Sequence, residues 1–110
     1  MNTNNRVQLT GNLGRDPEIL TFENGGKLAK FSLATREEVI RSGEITENTQ
    51  WHNISARGKL VEQIQAEFKK GSFVSVEGKL VTRMYEDKAG QKKYFTEVII
   101  HNARLNNTAS

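Results

Sequence analysis

Only one segment of this 110-residue chain repeats its apolar residues at the spacing of an α-helix. In that segment Leu60, Ile64 and Phe68 recur every four residues, which predicts a helix over residues 58–70 with Gly71 as its cap. Most of the remaining chain alternates apolar and polar residues, the period of a half-buried β-strand. The sequence therefore predicts a sheet protein with a single helix.

Turn signals divide the alternating part of the chain into strands. Pro17 lies in a predicted turn over residues 14–18, and Asn24-Gly25 is a hairpin signal. Residues 36–48 are charged and lack an apolar rhythm, so we interpret them as a long mobile loop or as the outward extension of a hairpin. The predicted strands are residues 6–13, 27–35, 49–57, 72–85 and 92–101, with a short extended run at 19–22.

This order of elements predicts the fold class. Five strands with one helix between the third and the fourth are typical of the OB-fold, an all-β, partly open five-stranded Greek-key barrel. The length favours one domain, which we assign to residues 6–103. Residues 1–5 are expected to be a disordered N-terminus and residues 104–110 a polar C-terminal tail.

Composition argues against most enzyme chemistries. The chain has no cysteine, so disulfides, zinc–thiolate sites and thiol nucleophiles are excluded. Its two histidines, His52 and His101, are far apart in sequence, and no serine has a suggestive histidine and aspartate partner. His52 lies on the apolar side of its strand, where we expect an interior or subunit-interface histidine. We therefore expect a protein that is not an enzyme and has no metal or cofactor.

Charge is unevenly distributed between the two halves of the chain. The net charge is only +3, but residues 56–110 carry ten of the 16 basic residues and six of the 13 acids. A local basic excess of this kind favours a polyanionic partner. No run of apolar residues approaches the ~20 that a membrane span needs, and no signal peptide is visible, so we expect a cytoplasmic protein.

Two predicted strands place aromatic and basic side chains on one face. Trp51 shares a parity with Arg57, and Tyr85 shares one with Arg83 and Lys79. Exposed aromatic rings stack on bases while nearby cations contact phosphates, as single-strand binding requires. Taken one at a time, the same residues are also compatible with a partly buried tryptophan and a solvated strand face.

The motifs together identify a family. They include V-Q-L-T-G-N-L-G-R-D-P-E at residues 7–18, W-H-N-I at 51–54, V-E-G-K-L-x-T-R-x-Y at 76–85 and Y-F-T-E-V at 94–98. On these motifs the chain resembles bacterial single-stranded-DNA-binding proteins of the homotetrameric OB-fold type, from about residue 5 to about residue 101. The resemblance implies a nucleoid-associated tetramer, built from dimers, that protects single strands in replication, recombination and repair. We expect those dimers to pair along the first strand.

The resemblance also implies which residues contact DNA. The expected stacking residues are Trp51 and Tyr85, the latter where relatives often carry tryptophan. Relatives often carry aromatic residues where this chain has Val39 and Arg57, so we expect less stacking and a greater dependence on charge. The expected phosphate contacts are Arg57, Lys59, Lys70, Arg83 and Lys93.

The end of the sequence departs from the family pattern. Relatives usually continue into a linker with an acidic tip that recruits replication and repair proteins, and this sequence ends at N-N-T-A-S without one. The sequence is either a naturally short form, as in relatives that serve DNA uptake, or a trimmed product. In both cases we do not expect it to recruit replication and repair proteins through such a tail. Two alternatives remain open: a primosomal accessory or DNA-uptake relative that acts mainly through protein contacts, and a small-ligand or enzyme site on an OB barrel.

Overall fold

The computed structural model describes residues 4–106 as one barrel with one helix. Its elements are, in order, β1 (Val7–Leu13), β2 (Glu18–Thr21), β3 (Lys27–Arg41), β4 (Glu44–Arg57), α1 (Lys59–Glu67), β5 (Phe73–Glu86) and β6 (Lys92–Leu105). Strand pairing follows the order β1-β5-β6-β4-β3-β2, and β1 also pairs with β3. That last pairing closes five strands into a barrel and leaves β2 as a short addition beside β3.

The predicted OB-fold is confirmed. The helix follows β4 here, which is the third of the five predicted strands once the short β2 is counted separately. All strand pairs are antiparallel except β4 with β6, which run parallel over two residue pairs.

The core consists of the inward-facing residues of the barrel and the apolar face of α1. Leu33, Ile54 and Val74 from the strands are fully buried together with Ile64 from the helix. Phe68, directly after the helix, packs edge-to-face on the Phe31 ring with the ring centroids 5.9 Å apart. The predicted helical core positions Ile64 and Phe68 are thus buried, and Leu60 packs against the core.

Two glycines allow strands to approach each other closely. A Cβ on Gly11 would overlap the carbonyl oxygen of Ala34, at the point where β1 reaches β3. A Cβ on Gly78 would overlap the carbonyl oxygen of Ile99, where the β5–β6 register shifts.

The charged segment at residues 36–48 is a hairpin extension, and the alternative interpretation as a mobile loop is wrong. Strands β3 and β4 stay paired up to Arg41 opposite Glu44. Ser42 and Gly43 form the turn with φ angles of 51° and 78°, as a two-residue hairpin turn with both central residues left-handed requires. Beyond the barrel both faces of this hairpin are largely exposed to water, so no apolar rhythm is needed.

The helix is shorter than predicted. It ends at Glu67, and Phe68 is already extended, so the predicted extension to Lys70 with a Gly71 cap is wrong. The backbone N–H of Lys70 donates to Asp16 at 2.8 Å, and that of Gly71 donates to the Leu13 carbonyl at 2.9 Å. These contacts with the end of β1 replace the last helical turn.

The ends of the described chain are attached to the barrel. The side-chain amide of Asn5 both accepts from the Leu80 N–H and donates to the Leu80 carbonyl, each at 2.9 Å. Strand β6 runs to Leu105, beyond the predicted end of its strand at residue 101. The rest of the predicted disordered N-terminus and polar tail, at residues 1–3 and 107–110, lies outside the described residues. Within residues 4–106, α1 is the only helix, and it is too short and too polar to cross a membrane.

Candidate nucleic-acid interface

One face of the sheet combines the predicted site residues of several strands. The inward-facing Ile54 lies opposite Phe31 on β3 and beside Val98 on β6, and all three side chains are buried. Residues one position away on these strands, such as Ser55, therefore point to the other side. On β5 the same side carries Arg83, which lies opposite Phe95 of β6. We call the surface formed by these alternate residues of β3, β4, β6 and β5 the outer sheet face.

Trp51 lies on this face as an open ring with a fixed support. It is 61% exposed and lies opposite Ala34 on β3. Its indole packs against the backbone of Gly14, because a Cβ at that position would lie 2.5 Å from the ring. The turn after β1 thus restricts the indole, while much of its surface is available to a base.

A cleft of about 150 Å³ lies in the middle of the outer sheet face. We call it the central cleft. Its wall residues are mainly charged and come from all four strands: Leu28, Lys30, Ser55, Arg57, Arg83, Phe95 and Glu97. Three cations around one acid give this cleft a positive balance, which suits a polyanion.

The acid in the central cleft is a buried carboxylate that sequence reasoning missed. Glu97 is only 8% exposed, and its Oε1 accepts a hydrogen bond from Arg83 Nε at 2.8 Å. Arg83 therefore lies on the predicted face, but part of its charge is already neutralised by this ion pair. An acid at an outward position of a strand resembles an ordinary solvated residue, so only the packed structure reveals the pair.

The far part of the β5–β6 hairpin continues the surface. Tyr85 is 53% exposed and lies opposite Lys93, while Phe95 is 40% exposed and lies opposite Arg83. The structure therefore brings the predicted residues Tyr85 and Lys93 together. It adds Phe95, which was not among the predicted site residues. Phe95 lies two residues after Lys93 on the last strand, and this spacing predicts that both side chains are on the same face.

Two predicted phosphate contacts, Lys59 and Lys70, lie outside both the central cleft and the β5–β6 hairpin. Lys59 is the first residue of α1, just beyond Arg57 at the end of β4. Lys70 lies near the turn after β1, where its main chain binds Asp16. Both residues are exposed, Lys59 beyond the Arg57 end of β4 and Lys70 at the turn after β1.

This geometry matches a known family. The chain fits the model of the single-strand binding protein family over residues 4–106. It belongs to that family. The fold is also similar to a solved structure described as the Plasmodium falciparum SSB complex with ssDNA, with a TM-score of 0.85 and 33% sequence identity over 96% of this chain and 95% of that chain. The predicted family is confirmed, and a bacterial source stays a prediction.

Proposed function

We propose that this member of the single-strand binding protein family binds single-stranded DNA with little dependence on base sequence. The observation that carries the proposal is the outer sheet face, on which exposed Trp51, Tyr85 and Phe95 alternate with basic side chains. The similar Plasmodium falciparum structure, which is a complex with single-stranded DNA, supports the same conclusion.

Base stacking supplies the sequence-independent part of this binding. Every base has an aromatic face, so a ring such as Trp51 can accept any of them, with roughly 1–3 kcal/mol for each stacked base. Duplex DNA keeps its bases stacked on one another and cannot offer these faces. The proposed site therefore selects single strands over duplex.

Cations supply the second part of the binding energy. Arg57 and Lys30 line the central cleft, and Lys93 lies beside Tyr85, where phosphates of a bound strand pass close to the stacked bases. The planar guanidinium of Arg57 can itself stack on a base. The salt-bridged Arg83 is proposed as a phosphate contact whose orientation Glu97 fixes.

We further propose a homotetramer that forms from dimers paired along β1. Val7 to Asn12 pair with β5 on one side, while β3 pairs only with Asn12 and Leu13. Among residues 4–106 the other edge of Val7 to Gly11 has no strand beside it, and a second copy can pair there. His52, expected to be an interior or subunit-interface histidine, is partly buried and is hydrogen-bonded to Thr35 at 2.9 Å. The proposed role is the protection of single strands in replication, recombination and repair within the cytoplasm.

Fluorescence of the single tryptophan tests the proposal directly. Trp51 emission is followed while poly(dT), or a duplex of equal length, is added at two salt concentrations. We expect strong quenching by the single strand, a weak response to duplex, and an affinity that falls as salt rises. Equal affinity for duplex would overturn the proposal.

A further inference from the structure

A second cleft adjoins the central cleft at the turn between β2 and β3. It has a volume of about 370 Å³ and shares Leu28 and Arg57 with the central cleft. We call it the turn cleft. Its wall residues are Phe22, Asn24, Gly26, Lys27, Leu28, Arg57 and Gly58.

A short hydrogen-bonded turn holds Phe22 at the rim of this cleft. The Phe22 N–H donates to the Gly26 carbonyl at 2.8 Å, and the Gly25 N–H donates to the Phe22 carbonyl at 2.9 Å. The Asn24 side chain accepts from the Gly26 N–H at 2.9 Å, and Gly25 has a φ of 87° that favours glycine. The backbone of Phe22 is therefore fixed before any ligand arrives.

The Phe22 ring remains open to solvent in spite of this ordered backbone. It is 52% exposed, and among residues 4–106 the one aromatic pair is Phe31 with Phe68. A half-exposed ring on an ordered backbone loses little backbone freedom when a planar ligand stacks on it. Phe22 therefore has the properties of a stacking residue.

The turn cleft is continuous with the outer sheet face. Leu28 lies opposite both Arg57 on β4 and Leu20 on β2, so one row of outward side chains crosses three strands. Phe22 follows Leu20 at a spacing of two residues, on the same side. Lys27 lines the cleft, and Lys59 comes directly after Gly58, so cations accompany the aromatic ring here as they do around Tyr85.

We propose that the bound strand passes from the central cleft over Arg57 into the turn cleft, where Phe22 stacks on a base and Lys27 contacts a phosphate. The proposal rests on single-stranded DNA as the ligand. It assigns the chain an aromatic contact beside Arg57, the cation that lines both clefts.

The test compares Phe22→Ala and Phe22→Leu with the wild-type protein. Their affinities are measured by fluorescence anisotropy with labelled oligo(dT) of increasing length, from about 4 to about 16 nucleotides, the site sizes seen for OB-folds. We expect Phe22→Ala to weaken the longer oligonucleotides roughly 5- to 150-fold and to leave the shortest unchanged. Phe22→Leu keeps an apolar side chain without an aromatic plane, and we expect it to lose nearly as much.

Controls separate stacking from structural effects. Leu105→Ala removes an apolar side chain of similar exposure that lines neither cleft, and its affinity should match the wild type at every length. Lys27→Gln should lower the slope of log affinity against log salt by about 1 for the longer strands only. On the wild-type protein, a photoreactive pyrimidine oligonucleotide should cross-link to Phe22.

The outcomes distinguish this inference from the proposed function. If the wild type binds oligo(dT) but Phe22→Leu keeps full affinity at all lengths, and no cross-link forms at Phe22, the path through the turn cleft is overturned while single-strand binding stands. If the wild type does not prefer oligo(dT) to duplex, the proposed function itself fails, and this path with it.

Discussion

Two long hairpins extend from the same barrel, and their outer parts carry opposite charge. In the β3–β4 hairpin, residues 36–49 contain four glutamates and two arginines. In the β5–β6 hairpin, residues 79–98 contain five basic residues and three acids. Similar antiparallel pairing therefore produces one extension that repels a polyanion and one that attracts it.

Directly paired residues in the two hairpins show the same difference in charge. On the side of the β3–β4 hairpin that carries Trp51, Glu38 lies directly opposite Glu47. Beyond them Ile40 and Ile45 face each other and are 73% and 69% exposed. The corresponding side of the β5–β6 hairpin places Tyr85 opposite Lys93. We infer that a bound strand follows β5–β6 and leaves the β3–β4 hairpin near Trp51.

The largest expected effect is the loss of DNA affinity when an exposed aromatic residue of either hairpin is removed. Trp51→Ala and Tyr85→Ala should each weaken binding of labelled oligo(dT) by about 1–3 kcal/mol, roughly 5- to 150-fold, because each loses one stacked base. Ile45→Ala removes an even more exposed apolar residue from the acidic hairpin and should change little. The contrast fails if Ile45→Ala costs as much affinity as Tyr85→Ala.

The ion pairs of the two hairpins should differ in their effect on stability. Arg83→Ala leaves the buried Glu97 carboxylate without its partner, and we expect a loss of about 1–3 kcal/mol in the free energy of unfolding. Arg36→Ala breaks a 3.7 Å contact with Glu47 in which both side chains are more than half exposed.

Exposed pairs of this kind contribute about 0–1 kcal/mol, so Arg36→Ala should be nearly silent in chemical denaturation. Similar losses for the two variants would show that Glu97 is not as dependent on Arg83 as the structure indicates. Arg83→Lys is expected to restore part of the stability.

The smallest expected effect comes from a charge substitution in the acidic β3–β4 hairpin. Glu38→Gln removes one of two opposed like charges, which should stabilise the hairpin by about 0.2–1 kcal/mol and raise the affinity for oligo(dT) a few-fold at low salt. Thermal unfolding and anisotropy titrations measure the two effects. A fall in affinity would mean that the strand follows the β3–β4 hairpin after all and uses Glu38.

The sequence predicted the barrel because burying one face of a helix or strand requires apolar residues at a regular spacing. Leu60 and Ile64 pack on the core from one face of α1, so their spacing had to be helical, and the alternation around Ile54 had to be that of a strand. The hairpin at residues 36–48 lies outside the barrel with both sides in water, where no rhythm is required. The only local sequence signal for this hairpin was the Ser42-Gly43 pair, which forms its turn.

The site was predictable only in part. Alternation and the family motifs predicted Trp51 and Tyr85 as stacking residues. The structure shows that both rings are exposed, and their contact with DNA stays a proposal. Glu97 was missed because its burial depends on Arg83 across the hairpin, which is a tertiary contact. The role proposed for Phe22 depends on the contact of two strand ends, which no local pattern encodes.

The barrel is closed at two places by very short ladders. Ile54 and Ser55 pair with Val98 and Ile99, and β1 meets β3 over two residue pairs as well. Few hydrogen bonds have to break there, whereas each long hairpin is paired over many residues. Local opening of the molecule is therefore expected to separate the hairpins from each other before either one frays.

The central cleft lies across one of these closures, with Arg57 on β4 and Phe95 on β6. A strand of DNA bound across it contacts both hairpins at once and binds only when they are together. Because such a ligand binds only the closed barrel, it shifts the equilibrium away from the locally opened form. Single-stranded DNA bound as proposed is thus expected to keep the barrel closed.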